Sequence, residues 1–92
     1  MKNFEDPLET AVFTTTYVLK ENKPILYVSH DADGAWQFHT ANDGVDTTTA
    51  MLVTLQNVLE HDATINEVSD LPLGHYASRE SVGAAWVYSK QD

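Results

Sequence analysis

The sequence predicts one α+β domain, a twisted antiparallel sheet of four or five strands with one or two short helices packed on one face. Short runs rich in Val, Ile, Thr, Tyr and Phe recur along the 92 residues and are separated by Gly, Pro, Asn and Asp, as is typical of strands joined by turns. Helical spacing of apolar residues is confined to the middle of the chain. A chain of this length fits a single domain, residues 1–92.

The N-terminal third predicts a lead-in arm and a first strand. Residues 1–9 are polar and interrupted by Pro7, so we expect a flexible or lead-in arm. Residues 10–19, TAVFTTTYVL, are dominated by β-branched and aromatic side chains, which favour a strand. A turn over residues 20–24 would fold this strand back as a hairpin onto the next one.

Residues 25–40 predict the central hairpin of the sheet. Apolar residues alternate onto both sides of residues 25–28, which is typical of a strand in the middle of a sheet. An Asp-Gly turn follows. One register places Tyr27 opposite Phe38 and the other places Val28 there, and the sequence does not choose between them.

The segment after the loop at residues 41–49 is ambiguous. Several β-branched residues before Leu55 favour a short strand over residues 51–54, followed by a helix from Leu55 to about His61. A single helix from Thr48 is the alternative.

The last third predicts one more helix and two strands. The run Thr64-Ile65-Asn66-Glu67 matches a capping box and predicts a helix start, and Pro72 limits that helix. Residues 75–80 and 84–89 predict two short strands.

Composition excludes several functional classes. Fourteen acidic residues against five basic ones, a net charge of −9, argue against nucleic-acid binding, which depends on Lys and Arg. No apolar run is long enough for a signal peptide or a membrane span, so we expect a cytoplasmic protein without a membrane partner. The absence of cysteine excludes disulfides and thiolate sites. The oligomeric state stays open.

No catalytic residue, metal or cofactor is predicted. Ser29-His30-Asp31 has the residue types of a hydrolase triad, but neighbours on a strand point to opposite faces. A calcium loop counted from Asp31 would need a Glu at its twelfth position, where Asn42 stands. The four histidines are too dispersed for one metal ion.

Charge distribution carries most of the functional information. No Lys or Arg lies between Lys23 and Arg79, whereas this interval holds eight acidic residues. A negative surface of this kind can serve solubility alone. It can also bind a basic protein, and the predicted partner-binding residues are then the loop aspartates Asp31, Asp33, Asp43 and Asp46.

A small enzyme or small-ligand-binding domain is the alternative function. Its pocket would lie near His75, Arg79 and Trp86. Arg79, the only arginine, also fits an internal bidentate pair with a carboxylate.

Several motifs along the chain resemble a family of small uncharacterised bacterial proteins. They are P-x-L-Y-V-x-H-D at residues 24–31, D-G-x-W-Q-F at 33–38, L-x-x-V-L-E-x-D at 55–62, and D-L-P-L-G at 70–74 followed by Arg79. That family is similar in turn to a domain of unknown function, some of whose members are immunity proteins of bacterial toxin systems. The resemblance covers residues 11–86 and implies an immunity-type inhibitor. It transfers no catalytic residue, and the family's W-x-x-W-R ending is Tyr76-Ala77-Ser78-Arg79 here.

Overall fold

The computed structural model describes residues 3–40 and 49–91, which form a mixed sheet with short helices. The strands of these residues are β1 (Ala11–Thr15), β2 (Tyr27–His30), β3 (Trp36–His39), β4 (Ala50–Thr54), β5 (His75–Ser78) and β6 (Val87–Lys90). The helices are α1 (Thr16–Leu19), α2 (Leu55–His61) and a 3-10 helix (Ala63–Val68). The α+β class is therefore as predicted.

The sheet has more strands than predicted and is not all antiparallel. Its order is β4-β1-β3-β2-β5-β6, and β1 runs parallel to β3 while every other pair is antiparallel. The expected hairpin between the first two strands is wrong, because β1 pairs with β3 and β4. Thr15 explains the change: its hydroxyl accepts a hydrogen bond from Val18 N at 3.4 Å and begins α1, so the chain leaves the sheet before it reaches β2.

The central hairpin is confirmed, and its register is resolved. β2 lies between β3 and β5, with Val28 opposite Phe38 and Ser29 opposite Gln37. In the turn, the Asp33 carboxylate accepts a hydrogen bond from Ala35 N at 3.0 Å, and Gly34 adopts a φ of 95°. An L side chain rarely adopts this conformation, so the turn requires glycine.

The strand-then-helix interpretation of the middle segment is confirmed. β4 ends at Thr54, whose side chain and that of Asn57 form a capping box at the start of α2. The capping box predicted at Thr64 is wrong. The N-cap residue is Asp62 instead: its side chain accepts a hydrogen bond from Thr64 N at 2.9 Å at the start of a 3-10 helix.

The hydrophobic core lies on one face of the sheet. Cross-strand pairing places the buried apolar strand residues on the same side, where they meet buried residues of all three helices. Phe4 of the lead-in arm packs edge-on against Trp36, with ring centroids 4.9 Å apart. The core residues are Val12, Val18, Ile25, Val28, Trp36, Phe38, Leu55, Val58, Ile65, Val68, Leu71 and Ala77.

The other side of the sheet, called the open face below, has a mixed surface. Its strand positions are Ala11, Phe13, Thr15, Tyr27, Ser29, Gln37, His39, Ala50, Leu52, Thr54, Tyr76, Ser78, Val87 and Ser89. Ser29 and His39 are buried there, whereas Phe13, Leu52 and Val87 are 42%, 65% and 62% exposed. None of the helices in the described ranges has the length and apolar character needed to cross a membrane.

Candidate functional site

Arg79 is the centre of a buried polar cluster beneath the core face, called the arginine cluster. Its Nε and Nη2 donate to the Ile25 carbonyl oxygen at 3.1 and 2.9 Å, and Nη2 also donates to Asp62 Oδ2 at 2.8 Å. Nη1 donates to Thr64 Oγ1 at 2.9 Å, and the guanidinium carbon lies 4.2 Å from the ring centroid of Trp86. The side chain is 0% exposed. Arg79 thus joins β5 to the helical layer and pairs with a carboxylate inside the fold, as expected, but the expected bidentate geometry is wrong, because Asp62 is contacted by Nη2 alone and the two-nitrogen contact goes to Ile25.

The arginine cluster bears directly on the predicted ligand pocket. Arg79 and Trp86 are in contact, but His75 lies at the opposite end of β5, about 13 Å away at the rise of a strand. The His75 ring instead hydrogen-bonds to the Leu73 carbonyl oxygen at 3.1 Å. The structure therefore brings together two of the three residues predicted for the pocket.

Further bonds tie β6 to the 3-10 helix beside this cluster. The Trp86 Nε1 donates to Glu67 Oε1 at 3.0 Å, and the Tyr88 hydroxyl donates to Asp70 Oδ1 at 2.7 Å. Partial burial, followed by the hydrogen bond and the negative charge of Asp70, raises the pKa of Tyr88 to about 12. The neutral phenol is thus part of the attachment of β6.

The predicted acidic loops are only partly within the described residues. Asp43 and Asp46 lie outside them. Asp33 is exposed at the tip of the central hairpin. Asp31 is half-buried and accepts hydrogen bonds from Gln37 Nε2 at 2.7 Å and from Gln91 Nε2 at 3.2 Å. Asp31 is therefore held toward the open face, whereas Asp33 serves the turn.

Asp31 belongs to a group on the open face called the tyrosine cluster, which consists of Tyr27, Asp31, Gln37, His39 and Tyr76. The amide of Gln37 links Asp31 to His39, whose Nε2 lies 3.0 Å from Gln37 Oε1. Because Gln37 Oε1 can only accept, His39 Nε2 donates. This chain of bonds fixes the amide and both of its neighbours.

The two tyrosines complete the cluster. The rings of Tyr27 and Tyr76 are stacked, with centroids 5.2 Å apart and planes at 23°, and the His39 ring meets Tyr27 edge-on at 5.9 Å. Both tyrosines are half-buried. Burial first, then the neighbouring Tyr76 and the Asp31 carboxylate, raise the pKa of Tyr27. The negative charge of Asp31 therefore acts on the aromatic surface.

The open face has no positive side chain among the described residues. Lys90 pairs with His75 and thus belongs to the core side of the sheet, and Arg79 is buried. Lys20 and Lys23 lie in the α1–β2 connection. The face is accordingly aromatic, apolar and negative.

Sequence reasoning did not identify Tyr27 and Tyr76, nor the two glutamines that bond to Asp31, Gln37 and Gln91, as site residues. The alternation of Tyr27, Ser29 and Asp31 at every second position was a usable signal for one polar strand face. Tyr76 and Gln91 come from the far end of the chain, so only the strand order reveals that they join it.

Comparison of the chain with family models, curated proteins and solved structures found no match. Within residues 3–40 and 49–91, no group of three or more His, Asp or Glu side chains is placed to hold a metal ion.

Proposed function

We propose that this chain is a noncatalytic acidic protein-binding domain, an immunity-type inhibitor of a basic bacterial toxin. The observation that carries the proposal is the open face: it has exposed apolar and aromatic side chains, and none of its described strand positions is Lys or Arg. Aromatic residues are enriched in protein interfaces, and interface cores are poor in charged residues.

Charge supports a basic partner rather than a second copy of this chain. With a net charge of −9, two copies repel each other, whereas a basic protein is attracted from a distance. Asp31 and Asp33 stand at the tip of the central hairpin, where their charges would orient an approaching partner. Asp43 and Asp46 enter the proposal on their sequence positions alone.

Apolar contact area supports the same proposal. Phe13 and Leu52 are paired on adjacent strands and both exposed, which gives one apolar patch on the open face. Val87 is exposed on the same face, on β6 at the opposite edge of the sheet. Burying such side chains contributes roughly 1.5–3 kcal/mol each before the costs of association.

The alternative of a small enzyme or ligand-binding domain near His75, Arg79 and Trp86 has less support. The hydrogen bonds of Arg79 to Ile25, Asp62 and Thr64 occupy its guanidinium, so a substrate would have to displace them.

The test is association with basic bacterial proteins, starting with the product of any adjoining toxin-like gene. We expect binding to weaken at least about tenfold between about 0.1 M and about 1 M NaCl, as the Debye length falls from ~10 to ~3 Å. Binding that is insensitive to salt would contradict the electrostatic basis of the proposal.

A charge-matched pair of variants locates the effect. The double variant Asp31→Asn, Asp33→Asn and the double variant Glu5→Gln, Glu60→Gln each remove two negative charges, all from exposed or half-buried positions. We expect the hairpin variant to lower the association rate several-fold more than its control. Equal effects would place the partner elsewhere on the molecule.

A further inference from the structure

The tyrosine cluster contains the same chemical groups that surround Arg79. Around Arg79 an aromatic ring lies 4.2 Å from the guanidinium and a carboxylate oxygen lies at 2.8 Å. The tyrosine cluster offers aromatic rings and the carboxylate of Asp31, and the described residues of the open face supply no cation to it.

We propose that the tyrosine cluster is a binding site for an arginine side chain of the partner, whose guanidinium stacks on Tyr76, the outer ring of the stacked pair, and donates to Asp31. This inference rests on the proposed function, and it names the anchor of the interface.

Asp31 retains capacity to accept hydrogen bonds. Each carboxylate oxygen has two lone pairs, and in the structure Oδ1 accepts from Gln91 while Oδ2 accepts from Gln37. One lone pair on each oxygen therefore stays available to a charged donor from another molecule, such as a guanidinium N–H. The side chain is half-buried, so a partner group can reach it.

The aromatic part of the site is already ordered. Tyr27 is held between the His39 ring at 5.9 Å and the Tyr76 ring at 5.2 Å. His39 is fixed in turn by Gln37, which also orients Asp31. Because these groups do not need to be arranged on binding, little entropy is lost when a ligand arrives.

Arginine fits this arrangement better than lysine. A guanidinium is planar, stacks on aromatic faces and forms bidentate bonds with carboxylates, whereas an ammonium is compact and strongly hydrated. The site should therefore distinguish the two side chains, which a generally acidic surface would not.

The experiment is an NMR titration of the full chain with three peptides: hexaarginine, hexalysine and hexacitrulline. We expect the ring signals of Tyr27 and Tyr76 to shift with hexaarginine, several-fold weaker binding of hexalysine, and no binding of the neutral peptide. Equal affinity for hexaarginine and hexalysine, or shifts confined to other residues, would overturn the arginine site.

Two pairs of variants test the residues. Tyr76→Leu should weaken hexaarginine binding about fivefold to thirtyfold, while Tyr76→Phe keeps the ring and the affinity. Asp31→Asn should weaken it as well, and Asp33→Asn, which removes a charge from the same turn outside the cluster, should have the smaller effect. Equal effects of the two aspartate variants would overturn the role of Asp31 even if Tyr76→Leu fails to fold.

The site and the function fail separately. If Tyr76→Leu and Asp31→Asn bind the basic protein as tightly as the parent chain does, the arginine site is wrong and the protein-binding function stands. If hexaarginine binds the cluster as expected but no basic protein associates, the function is wrong and the site stands.

Discussion

The arginine cluster and the tyrosine cluster use the same groups on opposite faces of one sheet. On the core side, the Arg79 guanidinium contacts both Asp62 and Trp86, and the Arg79 side chain is completely buried. On the open side, Asp31 and Tyr76 receive no Lys or Arg from the described residues. The first arrangement is complete within the fold, and the second is available to another molecule.

The two clusters also differ in the stage at which their charged groups are desolvated. Burying a guanidinium and a carboxylate costs several kcal/mol per ion, which the bonds of Arg79 to Ile25, Thr64 and Asp62 offset during folding. At the open cluster, the proposal implies that this exchange occurs only when a partner binds. Substitutions in the first cluster should therefore change stability, and substitutions in the second should change affinity.

The largest expected effect is the loss of the internal cation. Arg79→Met keeps the length of the side chain but removes the positive charge paired with Asp62 and leaves Asp62 Oδ2 and the Ile25 carbonyl oxygen without the Arg79 donors, so we expect a loss of about 3–5 kcal/mol in the free energy of unfolding. Urea denaturation followed by circular dichroism measures it. Lys90→Met, a change at an exposed residue of an edge strand, is the control and should stay within about 0.5 kcal/mol. A loss of similar size in both variants would remove the distinction between the clusters.

The attachment of β6 through Tyr88 should weaken at alkaline pH. Because the pKa of Tyr88 is raised from 10 to about 12, the fold favours the neutral phenol. Its contribution to stability is fully present below pH 10 and is lost as the pH rises toward 12. Tyr88→Phe should cost about 0.5–1.5 kcal/mol at neutral pH through the lost hydrogen bond to Asp70. Between pH 10 and 12 the free energy of unfolding should then fall less steeply with pH for Tyr88→Phe than for the parent chain. Identical slopes would show that Tyr88 does not contribute.

The smallest expected effect is a gain, produced by giving the open cluster a cation of its own. Ser89 pairs directly with Tyr76 across β5 and β6 on the open face. Ser89→Arg places a guanidinium beside that ring, so we expect a stabilisation of about 0.5–1 kcal/mol and weaker binding of hexaarginine. Ser81→Arg, at an exposed bend between β5 and β6, is the charge-matched control. If both variants reduce peptide binding equally, general repulsion rather than occupancy of the site is responsible.

Local sequence signals predicted the elements better than their arrangement. The β-branched residues before Leu55 correctly indicated a strand ahead of a helix, because the preference acts within a few residues. The parallel pairing of β1 and β3 was not predictable in this way, since it depends on where α1 and the following loop deliver the chain. Thr64 misled the helix prediction because Asp62, two residues earlier, is the stronger cap at that position.

The site residues likewise could be predicted where local sequence decides their role, but not where the strand arrangement does. The role of Arg79 was half visible, because a single arginine among many carboxylates predicts an internal pair, but its stacking on Trp86 required the course of β6. The aspartates of the loops were selected by charge alone. The structure separates the two that it describes: Asp33 accepts a hydrogen bond within its own turn, whereas Asp31 accepts one from Gln37 on the open face.

The position of β1 in the sheet has a consequence for the order of events during synthesis. Both strands that flank β1, namely β3 and β4, follow it in the sequence. When the ribosome has made Ala11–Thr15, neither β3 nor β4 has been made, and the ladder with β4 is complete only once Thr54 has been added. The β2–β3 hairpin, by contrast, joins consecutive strands through a five-residue connection, residues 31–35, in which Asp31 N bonds to the Ala35 carbonyl oxygen. The β2–β3 hairpin at the centre of the sheet can therefore form before β1 pairs, although β1 is synthesised earlier.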